Sequence, residues 1–202
     1  MNAIWQELDE QWWDDHRYYH QSYVNQALHL FSASCFLVAY GLFVVDWVAA
    51  TWIGGVLALW SRQVGHFFFE PRGHDTVHDV SHAHKESIKV GFNLARKTAL
   101  FVAWFGGPLL LLVPDGFEAV AALSGHDTWV ANVAFVWLGV GLSGFGLRTL
   151  WLVVFHSPVR GLVWAFKIVA DPFHDVWQYH RAPLYLLRGE RFEVPRRPER
   201  SL

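Results

Sequence analysis

"ALFVAWFGGPLLLLV", residues 99–113, decides how this chain folds. A helix in a water-soluble protein normally keeps a polar face toward solvent, and this stretch has no residue to supply one. The same character recurs elsewhere. From Leu30 to Ser61 the only charge is Asp46, and from Thr98 to Leu147 the only charges are Asp115, Glu118 and Asp127. A bilayer core takes about 20 apolar residues per helix, so the sequence predicts four spans, near 30–47, 50–69, 98–114 and 128–147. The expected fold class is all-α: a multi-pass membrane helical bundle of about four transmembrane helices, with an amphipathic interfacial helix at each end.

Charge placement gives that bundle an orientation. None of the 16 lysines and arginines falls in the predicted 46–51 turn or the 114–127 loop. Positive residues mark cytosolic loops, which puts the N-terminus, the 70–97 loop and the C-terminus in the cytosol. Asp46, Asp115, Glu118 and Asp127 then lie on the far side of the membrane, either a bacterial inner membrane or the endoplasmic reticulum. A net charge of −2 offers nothing to attract nucleic acid. The acidic N-terminus has no early apolar core, which argues against a cleaved signal peptide. Cys35, the single cysteine, sits in a span and reads as a small packing residue.

The flanking segments read as interfacial. Residues 3–20 form a helix with Trp5, Leu8, Trp12 and Trp13 on its apolar side, at the level tryptophan favours. A turn follows, and Asn25 serves as N-cap of the first span. Beyond Pro158, the residues Val159, Leu162, Val163, Phe166 and Val169 recur at helical spacing, which predicts an amphipathic helix along the cytosolic face. Residues 1–190 are expected to form one domain, and 191–202 a mobile polar tail. "GVGLSGFG", residues 139–146, matches the dinucleotide-binding glycine pattern as text. That pattern has meaning only between a strand and a helix; inside an oily segment its small residues serve close helix packing.

The 12 histidines carry the functional signal. On the predicted topology all but His126 lie at or near the cytosolic side. Neutral imidazole is the commonest transition-metal ligand, and ionisable groups at membrane depth are functional by default. His29 opens the first span and His66 closes the second, so antiparallel helices bring them to one level. His20 stands just ahead of that entry. His66 and Glu70, four apart, share a helix face. His74, His78, His82 and His84 form a hydrophilic loop that reads equally well as a solvated face. His16 fits a wet interface, and His156 either a ligand or an interfacial role. His174 and His180 follow the surface helix and can fold back over the cluster, with Asp175 placed to orient an imidazole. Imidazoles with at most one carboxylate suit iron or zinc.

Two motifs carry a family resemblance. "YHQSYVNQALH", residues 19–29, contains Tyr19, His20, Asn25 and His29, and "VGHFFFE", residues 64–70, contains Val64, Gly65, His66 and Glu70. Both resemble motifs of the small membrane 2-hydroxy fatty acid dioxygenases of fungal α-oxidation and their bacterial relatives, with His174–Asp175 a weaker match. The resemblance covers under a tenth of the chain, and residues 74 to about 170 depart from it. It implies a ferrous-iron enzyme that uses O2 to shorten a long-chain 2-hydroxy fatty acid by one carbon. It further implies His20, His29, His66 and His174 as iron ligands, and Asn25 and Glu70 as catalytic groups that position them. Arg62 and Tyr19 become substrate-binding candidates, and Arg72 a second cation for the carboxylate. Two alternatives stay open: a histidine-rich di-iron hydroxylase or desaturase, and a non-enzymatic metal-binding membrane protein.

Overall fold

The computed structural model describes residues 3–70, 73–74 and 80–193, and this part of the chain is all-helical, with one isolated β-bridge and no strand. Helix α1, Ala3–Tyr19, runs into α2, Tyr23–Leu42, through a short break at His20 and its neighbours. The cap of α2 is Ser22, in extended conformation, and not Asn25. Asn25 lies in the first turn instead, where its Nδ2 donates to the Tyr19 carbonyl at 2.8 Å and ties the end of α1 to the start of α2.

The second predicted span is a continuous rod with a feature the sequence did not announce. It opens as α3, Trp47–Trp52, passes through a π-helical segment, Ile53–Ala58, continues as α4, Leu59–Val64, and ends in a second π-helical segment, Gly65–Phe69. Asp46 starts the rod by accepting from the Ala49 amide at 2.9 Å. π turns take an extra residue per turn and shift the faces that follow, and they recur at functional sites. Here the second one carries His66. The rod packs on α2, where the Ser32 hydroxyl donates to the Ala58 carbonyl at 2.8 Å.

Gly65 permits this approach, because a Cβ there would stand 2.1 Å from Asn25 Oδ1. Gly65→Ala is therefore expected to lower stability by about 1–3 kcal/mol, the usual cost of overpacking. Unfolding in mixed detergent micelles measures it, and adding Asn25→Ala should recover part of the loss.

Helix α5, His82–Ile88, precedes α6, Leu94–Gly106, which tightens into a 3₁₀ segment, Gly107–Leu112. Pro108 lacks the amide that would continue the α ladder. Helix α7, Gly116–Ser124, leads to α8, Trp129–Phe155, longer than the predicted 128–147. Two segments, Leu94–Leu112 and Trp129–Phe155, are long and apolar enough to cross a membrane. Only 11% and 17% of their most apolar windows is buried. The glycines of residues 139–146 lie mid-helix in α8, where a Cβ on Gly144 would sit 3.0 Å from Leu100 and one on Gly141 3.9 Å from Trp104, both in α6. Gly141 and Gly144 serve helix packing, whereas a Cβ on Gly139 or Gly146 would meet nothing within 4 Å.

Helix α9, Pro158–Tyr179, corrects the expected surface helix. It packs against α1, α2 and α8 and is central to the fold. Its polarity is inverted: Lys167, Asp171 and Asp175 are buried, whereas Val159, Leu162, Phe166, Val169, Phe173 and Trp177 are exposed. The apolar stripe was visible in the sequence, but the buried charges opposite it were not expected to form the inner face.

Helix α10, Ala182–Leu187, returns to α2, with Tyr185 stacked on Tyr23 at 4.6 Å. The ordered fold then extends past residue 190. Arg191 accepts from the Tyr23 amide at 3.0 Å, and Glu193 donates to the Gln21 carbonyl at 2.8 Å. The rest of the expected tail lies outside the described residues.

Candidate metal centre

Three imidazoles from separate parts of the chain converge where α1, α2 and the rod meet. Each of His20, His29 and His66 offers a ring nitrogen, and these atoms all lie within 4.8 Å of one another. His20 Nε2 and His29 Nε2 are 3.1 Å apart. Two ligands at about 2.1 Å from one ion, with an angle near 90–109°, stand about 3.0–3.4 Å apart. The spacing of this pair is that of nitrogens sharing a cation.

The outward nitrogens are held in ways that turn the inward ones to the centre. His20 Nδ1 is 2.8 Å from the Asp15 carbonyl, which can only accept, so this nitrogen carries the proton and leaves Nε2 with a free lone pair. His66 Nδ1 is 2.7 Å from Glu70 Oε2, which fixes its tautomer in the same way. His29 Nδ1 instead accepts from Arg62 Nε at 3.3 Å, with Asp175 Oδ2 3.5 Å away. Such outer partners set ring orientation and ligand basicity. Burial, then the neighbouring imidazole of His29, holds His20 well below the ordinary histidine range, so it is neutral at physiological pH, as a ligand must be. Glu70→Gln is expected to weaken metal binding about 10–100-fold, the usual effect of losing such a partner. Metal-buffered titration of purified protein measures it.

A second layer of charge braces the centre. Lys167 Nζ binds Asp15 at 2.5 Å and Asp171 at 3.0 Å, which clasps α9 to α1 beside the His20 anchor. Burial alone would raise the Asp15 pKa, but Lys167 outweighs it and holds the carboxyl ionised, far below its usual range. The Arg62 guanidinium pairs with Asp175, and the two side chains are only 20% and 8% exposed.

The histidines open onto a cavity of about 260 Å³. Its lining includes the polar side chains of His20, His29, His66, Arg62, Lys97 and Tyr179, and the apolar ones of Phe36, Leu59, Leu100, Phe101, Trp104 and Ile168.

The remaining candidates fall as follows. His174 also lines the cavity but is not one of the three clustered ligands; its ring stacks on Trp12 at 4.2 Å, only 2° from parallel. Asn25 joins α1 to α2 and abuts Gly65. The Tyr19 hydroxyl donates to the Lys85 carbonyl at 2.6 Å, and Arg62 is taken up by Asp175, so both substrate-binding candidates have their polar groups engaged inside the fold. His16 faces Glu193 at 3.2 Å, His126 lies beside Trp47 at 5.4 Å, and His156 packs on Trp151. The His180 ring bonds the Trp177 carbonyl at 2.7 Å. His78 and Arg72 lie outside the described residues.

Several site residues escaped sequence reasoning. Lys167 and Asp171 were legible as an i,i+4 pair, but their partner Asp15 lies 152 residues from Lys167. Nothing in the sequence singled out Lys97, Trp12 or Tyr179. The donor set, three imidazoles with carboxylates one bond removed, can hold a divalent transition metal. No family model matches the chain, and neither does any curated protein or solved structure.

Proposed function

We propose that the protein is a multi-pass membrane enzyme, an iron(II)-dependent dioxygenase that shortens long-chain 2-hydroxy fatty acids by one carbon. The observation that carries this reading is a three-histidine cluster on the wall of a cavity that apolar side chains also line. An amphiphile entering it brings its head to the imidazoles and its chain to Phe101 and Trp104. The two motifs that carry the family resemblance supply all three of those histidines.

The membrane assignment draws on the exposed apolar surfaces of Leu94–Leu112 and Trp129–Phe155, joined by the apolar stripe of α9. On this reading α2 and the rod complete the four spans, both termini are cytosolic, and the histidines lie just inside the cytosolic lipid surface. The membrane is a bacterial inner membrane or the endoplasmic reticulum.

Bound ferrous iron supplies O2 activation beside the substrate. The chain's own residues do the rest. His20, His29 and His66 hold the ion, the Asp15 carbonyl and Glu70 set the tautomers of His20 and His66, and Arg62 and Asp175 stand behind His29. The apolar side chains of the cavity exclude water from the alkyl chain. The overall conversion balances as 2-hydroxy acid plus O2 giving the acid one carbon shorter, CO2 and water, with no external electron donor. Among the described residues only one group of three metal-capable side chains exists, which favours a single-metal site over a di-iron one.

Protein loaded anaerobically with ferrous iron, then given O2 and 2-hydroxyhexadecanoic acid, is expected to yield the 15-carbon acid. Zinc should not replace iron, and unhydroxylated hexadecanoic acid should persist. A 2-hydroxy acid left unconsumed under these conditions overturns the reading.

A further inference from the structure

We infer that Lys97 is the group that captures the substrate's anionic head, so that the cavity selects acidic amphiphiles over neutral ones of the same length. The inference rests on reading the cavity as an amphiphile site, but not on the reaction carried out there.

Four cationic side chains line the cavity: Arg62, Lys89, Lys97 and Lys167. Three of them are already matched. Arg62 pairs with Asp175, and Lys167 lies between Asp15 and Asp171. Lys89 stands 3.6 Å from Glu70 and 3.9 Å from Glu86, with its ammonium 3.5 Å from the Tyr19 ring centre. The Lys97 ammonium has no carboxylate oxygen within 4.0 Å and no hydrogen-bond partner among the described residues. Glu70 and Glu86 border the small adjoining recess that Lys97 shares with His66, but neither reaches it. Lys97 is half-buried; a cation partly withdrawn from water without a partner is unfavourable, and a ligand carboxylate offsets that penalty.

The position of Lys97 gives the ligand a direction. Lys97, Leu100, Phe101 and Trp104 all line the cavity and fall at i, i+3, i+4 and i+7 on α6. One helix face thus offers a lysine at its start and then an apolar track from Leu100 to Trp104, about 6 Å long. An acid at Lys97 lays its alkyl chain along that track, with its first carbons beside His66. A neutral headgroup gains nothing from Lys97, and a short acid leaves the track unfilled.

The test uses full-length protein in detergent, stripped of metal so that no ion contributes to carboxylate binding. Displacement of a pyrene-labelled hexadecanol reports affinity for 2-hydroxyhexadecanoic acid and for hexadecane-1,2-diol, which keeps the chain and the 2-hydroxyl but lacks the carboxylate. The wild type is expected to prefer the acid about tenfold, the effect of one charge-assisted hydrogen bond. Lys97→Met should bring the acid down to the diol's affinity and leave the diol unchanged, and Lys97→Arg should keep the preference. Helical content and iron uptake, measured on separate samples, establish that Lys97→Met is folded. A wild type that binds both ligands equally overturns the inference without recourse to any variant, as does a folded Lys97→Met that still prefers the acid. Acid preference in a protein that never consumes the 2-hydroxy acid leaves this inference standing and sinks the dioxygenase reading.

Discussion

His29→Ala protein is expected to purify with no bound transition metal while keeping its helical content. His29 is 1% exposed and contributes one of only three clustered nitrogens. Alanine leaves two imidazoles, and no other histidine in the cluster can take the third place. The loss should exceed the 10–100-fold expected for Glu70→Gln, because a ligand is removed and not its support. Elemental analysis of purified protein gives the metal content, and circular dichroism the helicity. His126→Ala is the control, since His126 lies beside Trp47 and away from the cluster. Its metal content should equal that of the wild type.

Arg62→Met is expected to give the largest loss of stability, about 3–5 kcal/mol, typical when one member of a buried ion pair is removed. The cause is the partner left behind: Asp175 is buried on α9 and would keep a charge with nothing to balance it. Arg62→Met combined with Asp175→Leu should be milder than Arg62→Met alone, because no orphaned charge remains. Unfolding in mixed detergent micelles measures both. A single variant no less stable than the double would show that the pair is solvated and not buried.

The sequence disclosed the site better than the fold around it. His20, His29, His66 and Glu70 were legible because imidazoles at the ends of apolar runs have few structural reasons to be there, and because the topology predicted His29 and His66 at one level. Asp175 was legible as an orienting group, and it faces His29 at 3.5 Å. The role of Arg62 was not. Charge alone suggested a substrate partner, whereas its mate lies 113 residues away. The helical class followed from composition, but the π-helical segments did not. They lie where the rod packs on α2, the second one with Gly65 against Asn25, and a hydropathy pattern cannot reveal an extra residue in a turn. Helix α9 was misjudged for a related reason. It was expected along the cytosolic face; its apolar stripe is exposed except at Val163, and its buried side depends on Asp15 and Arg62 from distant segments.

That inverted helix governs the order in which the molecule can be assembled. During synthesis the histidines and Arg62 emerge from the ribosome long before Asp175 does. Until the C-terminal third arrives, Asp15 lacks Lys167 and Arg62 lacks its counter-ion. A nascent chain halted near Pro158 therefore carries all three histidines, with the Asp15 carbonyl and Glu70 that orient two of them, but lacks Lys167 and Asp175. Maturation of the centre is a late event in biogenesis, completed only when the last long segment docks.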